Sequence, residues 1–205
     1  MNKRSDIVRF ILSITFTGLL TTIAIILQFL EFPLPFFIPA FVKFDFSDLP
    51  ALVASFSVGP FYGAAVCIIK NLIHISFGSS GGIGELCNAI LGIAFVVPAG
   101  YIYKHNRTRK GALIGSLIGS VVMAVVSFPT NLFISYPVYA KLMPIEQIIG
   151  AYNSIFNVVG ELWHALLIFN LPFTLFKGIV SSIIAFVLYR YISKVNKFFY
   201  VENNA

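Results

Sequence analysis

FNLPFTLFKGIVSSIIAFVLYRY, residues 169–191, is an apolar run long enough to cross a bilayer, because a spanning helix needs about 20 mostly apolar residues. Inside it stands one charge, Lys177. If the helix begins near residue 163, the lysine lies about fourteen residues in, roughly 20 Å along the axis. Its ammonium cannot easily reach water from there. A charge at such depth faces the bundle interior and has a partner, either another side chain or a ligand.

Outward from this run the chain keeps the same character. Of its 205 residues 58% are hydrophobic and 11% charged, where a soluble domain carries roughly a quarter charged residues. It is an integral membrane protein with room for about five or six spans and almost no soluble domain. The net charge of +6 does not describe a nucleic-acid surface, because ten of the fourteen Lys and Arg flank the apolar runs. Lys3, Arg4 and Arg9 precede the first run, Lys104, Arg107, Arg109 and Lys110 lie in KHNRTRK, and Arg190, Lys194 and Lys197 follow the last. Such clusters mark cytoplasmic ends. No small-residue cleavage site follows the first run, which therefore reads as a retained helix. Cys67 and Cys87 fall in apolar runs as small buried hydrophobes and imply no disulfide framework.

The expected fold is all-α, a single transmembrane domain over residues 1–205. Six helices are expected at residues 7–29, 47–57, 61–77, 83–103, 111–134 and 163–191. Pro33, Pro35 and Pro39 end the first helix and make residues 31–46 a long ordered loop. Gly59-Pro60 and GSSGG (78–82) are turns. The longest loop is expected at residues 135–162. An even number of crossings puts both termini, KHNRTRK and Gly59-Pro60 on the cytoplasmic side. The two long loops, between helices 1–2 and 5–6, then share the outer face with GSSGG.

Polar residues at membrane depth are Lys70, Asn71 and His74 on the third helix, Glu85 and Asn88 on the fourth, Asn131 on the fifth and Lys177 on the sixth. Two readings compete. One is a structural network, such as a Lys70–Glu85 pair tying two helices. The other is a ligand site, with Lys177 and Asn131 at its centre. Ammonium donates and carboxamide both donates and accepts, which suits a flat heteroaromatic ligand with carbonyl acceptors and an imide-like N–H. Phe36, Phe37 and Phe41 of the proline-rich loop can cover such a ligand from outside. His74, His105 and His164 have no metal-ligand spacing. No phosphate loop is present, so the chain cannot hydrolyse ATP alone, and no nucleophile–base set marks it as an enzyme. Gly111, Gly115 and Gly119 form a close-packing stripe inside the bundle. Thr17, Thr21 and Ala24 form another, which either packs inside or offers a shallow docking face to a second membrane subunit.

KFDFSDLPAL (43–52), GPFYGAAVCIIKNLIH (59–74), GGIGELCNAILG (81–92), YPVYAKL (136–142) and LPFTLFKG (171–178) occur in this order. With them the chain resembles the riboflavin-specific substrate-binding component of energy-coupling factor (ECF) vitamin transporters, over residues 10–191. The resemblance implies capture of riboflavin from outside by a six-helix bundle in the bacterial plasma membrane. It also implies uptake with a shared membrane coupling subunit and two ATPase subunits. Riboflavin would be a transported ligand, not a cofactor. By the same resemblance Lys177 and Asn131 hold the flavin ring, and Ala40 and Phe41 belong to the capping loop; Glu85 and Asn88, polar residues at membrane depth, are expected at the substrate site beside them. Where the family has Asn three residues before the lysine, this chain has Thr174. Thr17, Thr21 and Ala24 stand where the family has an Ala-x-x-x-Ala docking face. The nearest rival is the same architecture serving flavin mononucleotide or another vitamin, with Lys43 and Lys141 as phosphate donors. A membrane-embedded enzyme and a self-sufficient carrier with an inverted repeat are further alternatives.

Overall fold

In the computed structural model, residues 3–78, 81–142, 144–156 and 160–200 are described. Ser79 and Ser80 of the GSSGG turn lie outside them. α1 (Lys3–Phe29) is one unbroken apolar helix, as expected of a run without proline. After it the proline-rich segment forms a strap rather than a plain loop. β1 (Phe32–Pro33) and β2 (Lys43–Phe44) pair antiparallel, with Phe32 opposite Phe44 and Pro33 opposite Lys43. Between the strands Ile38 is buried while Phe36 is 87% exposed.

α2 (Asp48–Ser57) starts with Asp48 and has Pro50 in its first turn, an arrangement suited to a helix N-terminus. Gly59, at φ +147°, reverses the chain in a region that excludes most side chains, and Pro60 opens α3 (Pro60–His74). α4 (Ile83–His105) leads to a three-residue turn, where the Thr108 hydroxyl accepts from the Gly111 N–H at 3.0 Å and caps α5 (Arg109–Thr130). The basic cluster is therefore mostly helix ends.

The expected long loop at 135–162 is a correction. α5 passes through a π-helical turn (Asn131–Ser135) into α6 (Tyr136–Leu142), and α7 (Ile145–Asn153) and α8 (Leu162–Ala165) follow. These helices form because Tyr136, Ile148, Tyr152 and Ala165 all bury in one apolar cluster with Ile38, Phe44 and Phe169 at the strap end of the bundle. A second π-helical turn (Leu166–Asn170) joins α8 to α9 (Leu171–Tyr200). The inner cluster gathers Phe56, Phe95, Tyr103 and Met123.

Among the described residues, four stretches are long and apolar enough to cross a membrane: Asp6–Phe29, Ile83–His105, Arg109–Lys141 and Leu162–Val195. Large apolar side chains such as Ile14, Val125, Ile183 and Val187 are exposed, as lipid-facing positions are. The chain is an all-α membrane protein apart from the small strap.

The glycine stripe of α5 packs inside, as expected. A β-carbon on Gly119 would fall 2.3 Å from the Phe95 carbonyl oxygen, and one on Gly115 2.8 Å from that of Ala99. α4 and α5 touch backbone to backbone. The other stripe corrects the docking expectation. Thr17, Thr21 and Ala24 are 7%, 6% and 0% exposed, turned into the bundle where α1 meets α2 and α3. Their hydroxyls donate to carbonyls one turn back, Thr17 to Ser13 at 2.7 Å and Thr21 to Thr17 at 2.8 Å. Small size here serves intramolecular contact, so no shallow outer face remains at these residues.

Candidate ligand-binding site

Lys177 has carboxylate partners. Its Nζ lies 2.9 Å from Asp45 Oδ2 and 3.2 Å from Asp48 Oδ2, and donates to Asn88 Oδ1 at 3.3 Å. Asp45 sits at the end of the strap and Asp48 opens α2, so the strap's return into the bundle brings both acids to α9. Lys70 completes the set: fully buried, it donates to Asp48 Oδ1 at 2.7 Å and to the Ser47 hydroxyl. Asp45 Oδ1 in turn accepts from the Ser47 N–H at 2.7 Å and from its hydroxyl. Two ammonium groups thus balance two carboxylates, as buried charges require. Burial alone would raise the Asp45 carboxyl, but the Lys177 and Lys70 charges and the hydrogen bonds from Ser47 and Lys177 hold it well below the usual carboxylate range.

The expected Lys70–Glu85 tie is not formed. Lys70 goes to Asp48, and Glu85 Oε1 pairs with His74 Nδ1 at 3.0 Å. Carboxamides link the two groups. Asn71 Nδ2 donates to the Cys67 carbonyl at 2.8 Å, which turns Asn71 Oδ1 toward Gln28 Nε2 at 2.9 Å and Asn88 Nδ2 at 3.2 Å. That fixes the Gln28 amide too. Its Oε1 is left buried with no hydrogen-bond partner, an acceptor in want of a donor.

These groups surround a cavity of about 200 Å³. Phe41, Glu85, Asn88, Asn131, Thr174 and Lys177 all line it, so six of the seven substrate residues expected from sequence come together. Ala40 does not line it and is exposed. Of the three strap phenylalanines only Phe41 reaches the wall, with edge contacts to Tyr139 and Tyr152 at 6.4 and 6.2 Å between centroids. Phe37 instead stacks on Phe176 at 6.2 Å. Ile38, Leu91, Met123 and Phe173 add apolar wall.

Sequence reasoning missed Gln28, Asp45, Asp48, Ser135, Tyr136 and Asn170, all of which line the cavity. Asn131, Ser135 and Asn170 belong to the two π-helical turns, which re-aim side chains off the regular helical register and recur at functional sites. Pro129 and Pro172, one beside each turn, were the available signal. Packed against the strap, Tyr152 donates to Asn170 Oδ1 at 2.6 Å and pairs with Tyr136. Burial pushes the Tyr152 phenol well above its ordinary value, which keeps it a neutral donor. Among the described residues no group of three His, Cys, Asp or Glu is placed to hold a metal. Chemically, the cavity offers paired charges, carboxamides and apolar faces, and among the described residues no nucleophile–base pair lines it.

Residues 12–189 match the family described as ECF transporter, substrate-specific component. The chain is 34% identical over 173 residues to Riboflavin transporter RibU of Staphylococcus aureus (strain TCH60), covering 84% of this chain and 86% of that protein. It is 31% identical over 170 residues to Riboflavin transporter FmnP of Bacillus subtilis (strain 168), covering 82% and 84%. A solved structure described as the S component of a bacterial ECF transporter superposes with a TM-score of 0.70 at 32% identity, covering 89% of this chain and 95% of that one.

Proposed function

This chain belongs to the ECF transporter substrate-specific components, and on that premise we propose that it captures riboflavin in the cavity beneath the strap for uptake into the cell. The observation that carries the reading is the convergence of Lys177, Asn88, Asn131 and Thr174 with Phe41 on one cavity. Lys177, oriented by Asp45 and Asp48, exchanges its long bond to Asn88 Oδ1 for one to a flavin carbonyl, since an ammonium has only three N–H donors. The orphan Oε1 of Gln28 accepts from the ring imide N–H. Asn131 and Thr174 serve the rest of the polar edge, with one hydroxyl replacing the carboxamide that the family pattern has at Thr174. Phe41 and Ile38 close over the ring face. Glu85, held by His74, borders the mouth.

The same reading makes the chain one transmembrane domain with six crossing helices, α1 to α5 and α9, in the bacterial plasma membrane. In its support, the Gly59-Pro60 turn lies against Tyr103, Lys104 and Arg107 at the end of α4. α2 and α3 therefore descend to the basic end and return. Both termini then share the cytoplasmic side with KHNRTRK. Energy comes from a separate membrane coupling subunit and two ATPase subunits.

The test is the absorbance spectrum of the detergent-purified protein from riboflavin-fed cells, followed by titration of the emptied protein with riboflavin. A flavin spectrum and saturable binding are expected. Lys177→Arg keeps a cation between Asp45 and Asp48 but moves its donors, so affinity should fall about tenfold or more, the cost of one charged hydrogen bond. A colourless protein that riboflavin does not saturate would sink the reading.

A further inference from the structure

Every described cation lining the cavity is already committed to a carboxylate. Lys177 is held by Asp45 and Asp48 at the floor. At the mouth, Lys43 pairs with Glu31. The β1–β2 register produces the second pair, since it sets Lys43 opposite Pro33, two residues beyond Glu31. The cavity wall as a whole carries Glu31, Asp45, Asp48 and Glu85 against Lys43 and Lys177, with His74 on Glu85. An anionic group therefore meets a carboxylate at either end, whichever way the ligand lies. The Lys43–Glu31 pair is half-exposed, and a pair so open to solvent adds little to stability. What it does control is the charge presented at the mouth.

We propose that Glu31 is a specificity-determining residue: by holding Lys43 it denies a phosphate ester its cation at the mouth, so the cavity takes uncharged flavin and rejects flavin mononucleotide. Resting on the riboflavin reading above, this adds the choice between the vitamin and its phosphate. A phosphate monoester carries about −1.5 to −2 charges near neutral pH. Such a group needs unpaired donors, and placing it beside carboxylates is strongly unfavourable. Specificity here comes from repulsion as much as from fit.

The experiment is titration of detergent-purified, flavin-free protein with riboflavin and with flavin mononucleotide at low ionic strength, in wild type, Glu31→Gln and Glu31→Lys. In wild type the nucleotide should bind at least about tenfold more weakly than the vitamin. Glu31→Gln frees Lys43 and should narrow that ratio by about threefold or more, with Glu31→Lys narrowing it further, and added salt should shrink both effects. Using the ratio of the two ligands cancels any general loss of folded protein. Equal affinities in wild type, or a ratio that neither substitution moves while riboflavin still binds, would overturn the inference and leave the riboflavin reading standing. Failure of both ligands to bind wild type would overturn both.

Discussion

The inner and outer halves of the bundle are held together by opposite means. Toward the basic end, helices meet through the absence of side chains: Gly115 and Gly119 bring α5 against the α4 backbone, and a β-carbon on Gly178 of α9 would fall 2.6 Å from Ser120 Oγ. Hydroxyls there bond to their own helices, Ser120 to the Ser116 carbonyl and Ser182 to that of Gly178, both at 2.8 Å. Toward the outer end, the elements meet through charges, carboxamides and a strap. Close backbone packing at Gly115, Gly119 and Gly178 leaves no room for a side chain at those positions. Paired polar groups enclose space, and their bonds can be shared with a guest. On the proposed reading, the glycine-packed half is the base and the half beneath the strap is where the ligand binds.

The largest expected effect tests whether the outer polar set is structural as well as functional. Asp48→Leu leaves Lys70 without its carboxylate and Lys177 with one, and breaking a buried pair costs about 3–5 kcal/mol. Thermal unfolding of the empty protein in detergent should fall sharply, and an unchanged Tm would mean that the charges serve only the ligand. Gly119→Val should destabilise by about 1–3 kcal/mol through overpacking against α4, while riboflavin affinity of the folded fraction stays as in wild type. A changed Kd with an unchanged Tm would erase the distinction between the halves.

Smaller effects sharpen it. Gln28→Met removes the orphan acceptor and the bond to Asn71, and losing about 1 kcal/mol of hydrogen bonding should weaken riboflavin by about fivefold, read by titration. Unchanged affinity would show that Gln28 does not meet the ligand. Phe41→Ala should speed riboflavin release by about fivefold, because each aromatic contact it makes is worth about 0.5–1.5 kcal/mol. Phe36→Ala is the matched control: at 87% exposure it should change affinity and stability by less than about 0.5 kcal/mol. Equal release rates in the two variants would make the strap a connector.

Helix placement was largely legible in the sequence because a bilayer demands long apolar runs and loops demand prolines, glycines and charges. α1, α4, α5 and α9 lie where those signals put them. α6 to α8 were not legible, since their helical state depends on burying Tyr136, Ile148 and Tyr152 against a strap far away in the chain. The site was legible in half. An intramembrane lysine or asparagine announces itself against apolar neighbours, and so Lys177, Asn88 and Asn131 could be named. Asp45 sits in the expected loop and Asp48 in the first turn of an expected helix, both places where a carboxylate is ordinary, and nothing local marks them as buried.

By itself the sequence determined that the chain lives in a membrane, where its apolar helices run, and which polar side chains cannot face lipid. Those properties depend on each residue's own transfer free energy, which is local. Only the tertiary structure decided which charge meets which: Lys70 with Asp48 rather than Glu85, Lys177 with Asp45 across 132 positions, and Thr17, Thr21 and Ala24 inward rather than outward. Pairing is a property of distance in space, and distance is set by how α1, the strap and α9 pack.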